Sequence, residues 1–305
     1  MSFWKMIYLR WDAGELRKWT TMKRTAYLLV PLLIYFVAHD AAEILLVLML
    51  GSLLGAGTGG AEFTAVFVTN QGTLQAVLGA LAALLGTAAI WPALKRELEA
   101  GGKGAGPAAP EKSCFGRRQG SASGGGISEG RVTAYAFLAA LAFCLSAGLN
   151  IVLYQTGFLE SSEAFAQVQE RQYGVPFAVG LVLYGGISPL AEEAVFRGLL
   201  YNRMKRCFGY GLALAVSSFL FGAYHGNLVQ TLYGCVMGLV IAYTYELYGS
   251  FAAPMFFHGI ANVSVYAMTC HGALETLGRG TAMALGVVML LCAAGIFWYI
   301  RKRII

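Results

Sequence analysis

Apolar residues along this chain come in long blocks rather than in alternation with polar ones. Blocks rich in Leu, Val, Ala, Ile and Phe lie at about 25–48, 71–92, 132–153, 174–196, 209–226, 228–246, 251–269 and 281–300. Most approach the ~20 residues that a helix needs to cross the hydrocarbon core of a bilayer. No strand-like alternation is present, and lipid admits only helices or closed barrels. The pattern predicts an all-α, polytopic membrane protein with about eight transmembrane helices. Composition agrees: 57% of residues are hydrophobic and 12% charged, against roughly 25% charged in a soluble domain.

Basic residues orient the spans. With the N-terminus inside, all but Arg171 and Arg279 of the 22 lysines and arginines fall in cytoplasmic segments. Both termini are therefore expected in the cytoplasm. The same asymmetry accounts for the basic pI, so no nucleic-acid partner is needed, and the lipid bilayer is the partner that charge and hydropathy imply.

Four regions follow. Residues 1–24 form a cytoplasmic interfacial segment, since Trp4, Tyr8 and Trp11 recur at helical spacing among basic residues and suit a short helix on the membrane surface. They lack the early apolar core and small-residue cleavage site of a removable signal. Residues 25–100 hold two transmembrane helices. In the first, His39, Asp40 and Glu43 interrupt the apolar run, and this trio reads as an interfacial hinge. Residues 101–130, rich in Gly, Ser, Ala and Pro, read as a flexible cytoplasmic linker. Residues 131–305 carry the remaining six helices. The six cysteines are scattered without a CxxC pair and read as small core residues.

Ionisable side chains inside membrane spans are costly and are functional candidates by default. They cluster as Glu192, Glu193 and Arg197, then His225, then His258 with Asn262. Glu193 and Arg197 are four apart with the acid first, the better order for an ion pair. Glu192 points about 100° away and is left free as a base. His258 and Asn262 share a face by the same spacing, as do Phe221 and His225. A carboxylate, two imidazoles and a carboxamide around one cavity can hydrolyse an amide. Glu192 would deprotonate water, His225 would position that water or bind a metal, and His258 and Asn262 would hydrogen-bond the oxyanion. The same cluster would also serve as the relay of a transporter, or sit in a non-catalytic membrane partner such as a bacteriocin-immunity protein.

These residues carry a resemblance. Glu192-Glu193 followed by Arg197-Gly198, Phe221 to His225, and His258 to Asn262 match EExxxR-G, FxxxH and HxxxN in order and spacing. They resemble the three motifs of the CPBP (CAAX-processing and bacteriocin-processing) family, also called the type II CAAX prenyl protease or Abi family, over about residues 132–270. The resemblance implies an intramembrane endopeptidase domain at 131–305 acting on a peptide or protein substrate at the membrane. Glu192 would activate water, and Glu193, Arg197, His225, His258 and Asn262 would belong to the site. Family members are often labelled metalloproteases, and a metal-free glutamate mechanism is also proposed. One divalent metal, such as zinc, would take Glu192, His225 and His258 from separate helices, because no HExxH is present. Likeness to the bacterial branch implies the plasma membrane, and substrates other than prenylated CAAX proteins. At ~1.5 Å per residue, straight spans would hold Glu192 and His225 at opposite leaflets. A break at Gly185, Gly186 and Pro189 would bring them together.

Overall fold

A computed structural model describes residues 3–55, 70–101, 129–272 and 276–304. The expected linker, with Cys114, falls outside them apart from its edges. Among the described residues every regular element is helical. They are α1 (Phe3–Tyr8), α2 (Ala13–Arg17), α3 (Thr21–Gly55), α4 (Gln71–Gly101), α5 (Glu129–Gln155), α6 (Glu163–Tyr173), α7 (Phe177–Phe208), α8 (Tyr210–Ala223), α9 (Leu228–Tyr248), α10 (Ala252–Cys270) and α11 (Arg279–Tyr299). Six of the described helices, α3, α4, α5, α7, α9 and α11, are long and apolar enough to cross a bilayer, which makes this a multi-pass membrane protein. Helix α8 has 14 residues, about 21 Å at the α-helical rise, short of the ~30 Å core.

Two apolar cores meet on α9. One joins α3, α4, α7 and α8 through residues such as Tyr35, Ile90, Leu199 and Phe221. The other joins α5, α10 and α11 through Leu138, Phe257 and Ala293. Met237 and Ile241 of α9 belong to the second, while Ala242 and Tyr245 face the first.

Several expectations need correction. The N-terminal segment is two short helices rather than one, because Asp12 caps α2 in a reciprocal box with Glu15, which stops α1 from running on. Ile7 and Leu16 are buried at 0% and 1% exposure, so the segment is pinned to the bundle and does not merely lie on lipid. No hinge exists at His39, Asp40 and Glu43: α3 runs unbroken through them. Of the five described cysteines, all free, Cys270 and Cys292 are exposed rather than packed.

The fourth span does not end at 196. Helix α7 continues to Phe208, so Arg197 and Arg203 are not loop residues and both are fully buried. Burying a guanidinium requires partners for its donors, and Arg203 has them. Its Nε donates to Glu97 at 3.1 Å, Nη1 to the Tyr27 carbonyl at 2.7 Å and Nη2 to the Ile7 carbonyl at 2.8 Å. Arg206 adds bonds to the Tyr27 hydroxyl and to Glu97. This clamp ties α1, α3 and α4 to α7.

The proposed break at Gly185, Gly186 and Pro189 is instead a π-helical turn, Leu183–Ile187, inside a continuous helix. What equalises depth is the corner at Gly209. Glu192 lies sixteen residues before Phe208, and His225 fifteen after Tyr210. At ~1.5 Å per residue both stand roughly 23 Å from the corner joining the two antiparallel helices.

Candidate active site

Helix α7 alternates between two windings. The α-helical turn Ser188–Glu193 sits between the π segments Leu183–Ile187 and Ala194–Tyr201; such insertions recur at functional sites. In the first segment the Ser188 N–H bonds the Leu183 carbonyl, five residues back. The same register would pair the Tyr184 carbonyl with the nitrogen of Pro189, which carries no hydrogen. Asn262 fills that gap, its Nδ2 donating to the Tyr184 carbonyl at 3.0 Å. Helix α10 comes close enough because Gly259 faces this turn; a Cβ there would stand 2.7 Å from the Gly185 carbonyl oxygen.

The two glutamates separate as their helical phase implies. Glu193 is fully buried and accepts from Arg197 Nη1 at 2.9 Å. Arg197 also donates to the Gly238 carbonyl at 3.1 Å and stacks over the Phe221 ring, 4.3 Å from its centre. The same Glu193 oxygen lies 2.8 Å from His258 Nδ1. With this oxygen accepting from Arg197, Nδ1 is placed to donate to it as well, and Nε2 is left 3.8 Å from Glu192 Oε2. Glu192 is hydrogen-bonded on its other oxygen by Ser188 Oγ, one helical turn earlier. Its buried Oε2 has no hydrogen-bond partner among the described residues.

His225 occupies the turn between α8 and α9. Gly226, at φ +75°, allows the reversal that a side chain would oppose, and Asn227 then caps α9 by accepting from the Gln230 N–H. The His225 Nδ1 donates to the Phe221 carbonyl at 2.9 Å, since a carbonyl can only accept, so Nε2 is again the free nitrogen. Phe221 stands edge-on to both imidazoles, with centres 5.4 Å from His225 and 5.5 Å from His258. The aromatic position of FxxxH thus props both rings and covers the guanidinium.

Glu192, His225, His258 and Asn262 all line one cavity of about 250 Å³, so the structure brings these predicted residues together. Glu193 and Arg197 stand behind them. Phe165 and Tyr173 of α6 also line the cavity. That helix was not foreseen, although the Ser162-Glu163 pair that starts it is a recognisable cap signal. Ser188 and Tyr184 were missed too; Ser188 could have been found from its spacing four before Glu192.

As placed, the proposed ligands do not form a metal centre: among the described residues no three His, Cys, Asp or Glu side chains converge to hold an ion. Each of the two imidazoles, with Nδ1 tied and Nε2 free, is a suitable ligand singly.

Fold and site together define a helical membrane protein with a buried glutamate–histidine cavity. Residues 174–264 match the family described as "Type II CAAX prenyl endopeptidase Rce1-like", so the resemblance carried by the three motifs is borne out over the segment that holds them. The chain is also 25% identical over 119 residues to "Putative membrane peptidase YdiL" of Bacillus subtilis (strain 168). That match covers 39% of this chain and 48% of the relative, so the chain spans about half the length of the curated relative it matches. No solved structure matches.

Proposed function

We propose that the protein is an intramembrane endopeptidase in which Glu192 activates water to cleave a peptide bond. The observation that carries this reading is the unpartnered Oε2 of Glu192, facing His258 Nε2 across 3.8 Å at the cavity wall. A water between these atoms would give its proton to Glu192 while its oxygen adds to the substrate carbonyl carbon. The second N–H of Asn262 would donate to the oxyanion, and His258, held by Glu193, would join it once its Nε2 takes up a proton in the substrate complex. The C–N bond then breaks as the Glu192 proton passes to the amine nitrogen, giving a carboxylic acid and a free amine and restoring the Glu192 carboxylate. His225 would use Nε2 to orient the water. Residues 131–305 would form this protease domain in the cell membrane, with both termini cytoplasmic and a membrane peptide or protein as substrate.

The test is to incubate the purified protein in nanodiscs with a fluorogenic peptide library. Wild type should cleave members that Glu192→Gln leaves intact, at equal folding. Equal cleavage by both would refute the proposal, and substrate flux without a peptide product would favour a transporter. Metal is read separately by elemental analysis and chelation. Activity should survive chelation, and one zinc per chain whose removal and return switch activity off and on would replace the metal-free mechanism.

A further inference from the structure

The polar trio of α3 has no part in the chemistry above, yet two of its members do not face away from it. His39 and Glu43 line a second cavity of about 270 Å³ between α3, α4 and α7, and Ser188 and Glu192 form its inner wall. Glu192 therefore borders two chambers: one with His225, His258 and Asn262, the other with His39 and Glu43. His39 Nδ1 lies 2.9 Å from Asp40 Oδ1, and the Asp40 side chain is 70% exposed. A carboxylate so exposed on an otherwise apolar helix requires water at its oxygens. The α4 side is lined by Ala76, Gly79, Ala80 and Ala83, side chains too small to fill the space.

Hydrolysis needs two reagents at Glu192, and a peptide lying in the first chamber would obstruct water from that side. We propose, resting on the endopeptidase reading, that the second chamber is the water supply of the reaction. Asp40, His39 and Glu43 carry a file of waters from the surface to the back of Glu192. Its volume holds roughly nine waters at ~30 Å³ each, and its polar groups offer each of them partners.

The probe is water itself, read by hydroxyl-radical footprinting of the protein in nanodiscs. Tyr35 lines the chamber and is 4% exposed, so its oxidation reports water inside. Gly79→Leu is the plug: a Cβ at Gly79 meets only Glu43 Oε1, at 4.0 Å, so the larger side chain enters empty space. Wild type should show Tyr35 oxidation, and Gly79→Leu should lower it at least about threefold, as expected if the plug displaces most of the water. On a fluorogenic peptide that wild type cleaves, kcat should fall about tenfold or more while KM stays within about twofold. His39→Leu with Glu43→Leu, which removes the polar lining but leaves the volume, should act in the same direction. An unoxidised Tyr35 in wild type overturns the proposal whatever the activity. So does a plug that raises KM and spares kcat, since the chamber would then hold peptide. Normal footprinting with no Glu192-dependent cleavage would refute the endopeptidase reading and leave the wet chamber supported.

Discussion

Helix α7 carries two buried charge clusters, about ten residues apart, and they differ in where their unsatisfied atoms lie. In the clamp near its C-terminal end, Arg203 uses all three nitrogens on Glu97, the Tyr27 carbonyl and the Ile7 carbonyl, and its guanidinium covers the Tyr27 ring at 4.1 Å. In the central cluster, Arg197 binds Glu193 and Gly238 but leaves Nε unpartnered, and one oxygen each of Glu192 and Glu193 is buried without a hydrogen bond. An unsatisfied buried oxygen costs on the order of 1–3 kcal/mol. Among the described residues the clamp also leaves Glu97 Oε2 and Arg206 Nε without a hydrogen bond, so what sets the central cluster apart is that the open Glu192 Oε2 stands at a cavity wall. There it leaves an acceptor position for a water or substrate.

This contrast predicts opposite separations of activity and stability. The largest effect should come from Glu192→Gln, which removes the base and should cost up to about 10⁴-fold in peptide cleavage with an unchanged thermal transition. A Tm drop that accounts for the lost activity would remove the distinction. Next, Arg203→Leu should destabilise by about 3–5 kcal/mol, because Glu97 loses a buried partner, while the molecules that remain folded cleave at near-normal rates. Differential scanning fluorimetry alongside active-fraction measurements checks both halves.

Glu193→Gln belongs to both categories. It should weaken the fold through Arg197 and also lower kcat about 10²–10³-fold, because His258 loses its anchor and its oxyanion donation. A folded variant with normal kcat would show that the Glu193–His258 bond does not position the ring. The smallest effect is expected for Phe221→Leu. Losing the stacking on Arg197 and the two imidazoles should cost about 1–2 kcal/mol of stability, with a modest fall in kcat and little change in KM.

Much of the central cluster was legible without coordinates. The four-residue spacing of Glu193 and Arg197 announced their pair, and the different phase of Glu192 announced its freedom. Spacing also suggested that Phe221 supports His225. It could not show that the same ring reaches His258 and Arg197, because those contacts cross between α8, α10 and α7. The sequence alone places Arg203 in a cytoplasmic loop for a related reason. Composition marks a basic end of a span, but whether a helix continues past it depends on buried partners such as Glu97, 106 positions away in the sequence.

By itself the sequence determined the helical class, the blocks that become helices and the polar residues that gather at one cavity. Apolar block length and three- and four-residue spacing are local properties of a helix in lipid. Tertiary structure decided the rest: the common depth of Glu192 and His225, the use of Asn262 on the Tyr184 carbonyl, and the joining of His39 and Glu43 to the Glu192 wall. Each depends on how one helix is placed against another. That placement is set by backbone groups left free at Pro189 and by glycines that permit contact, and neither has a periodic signature along the chain.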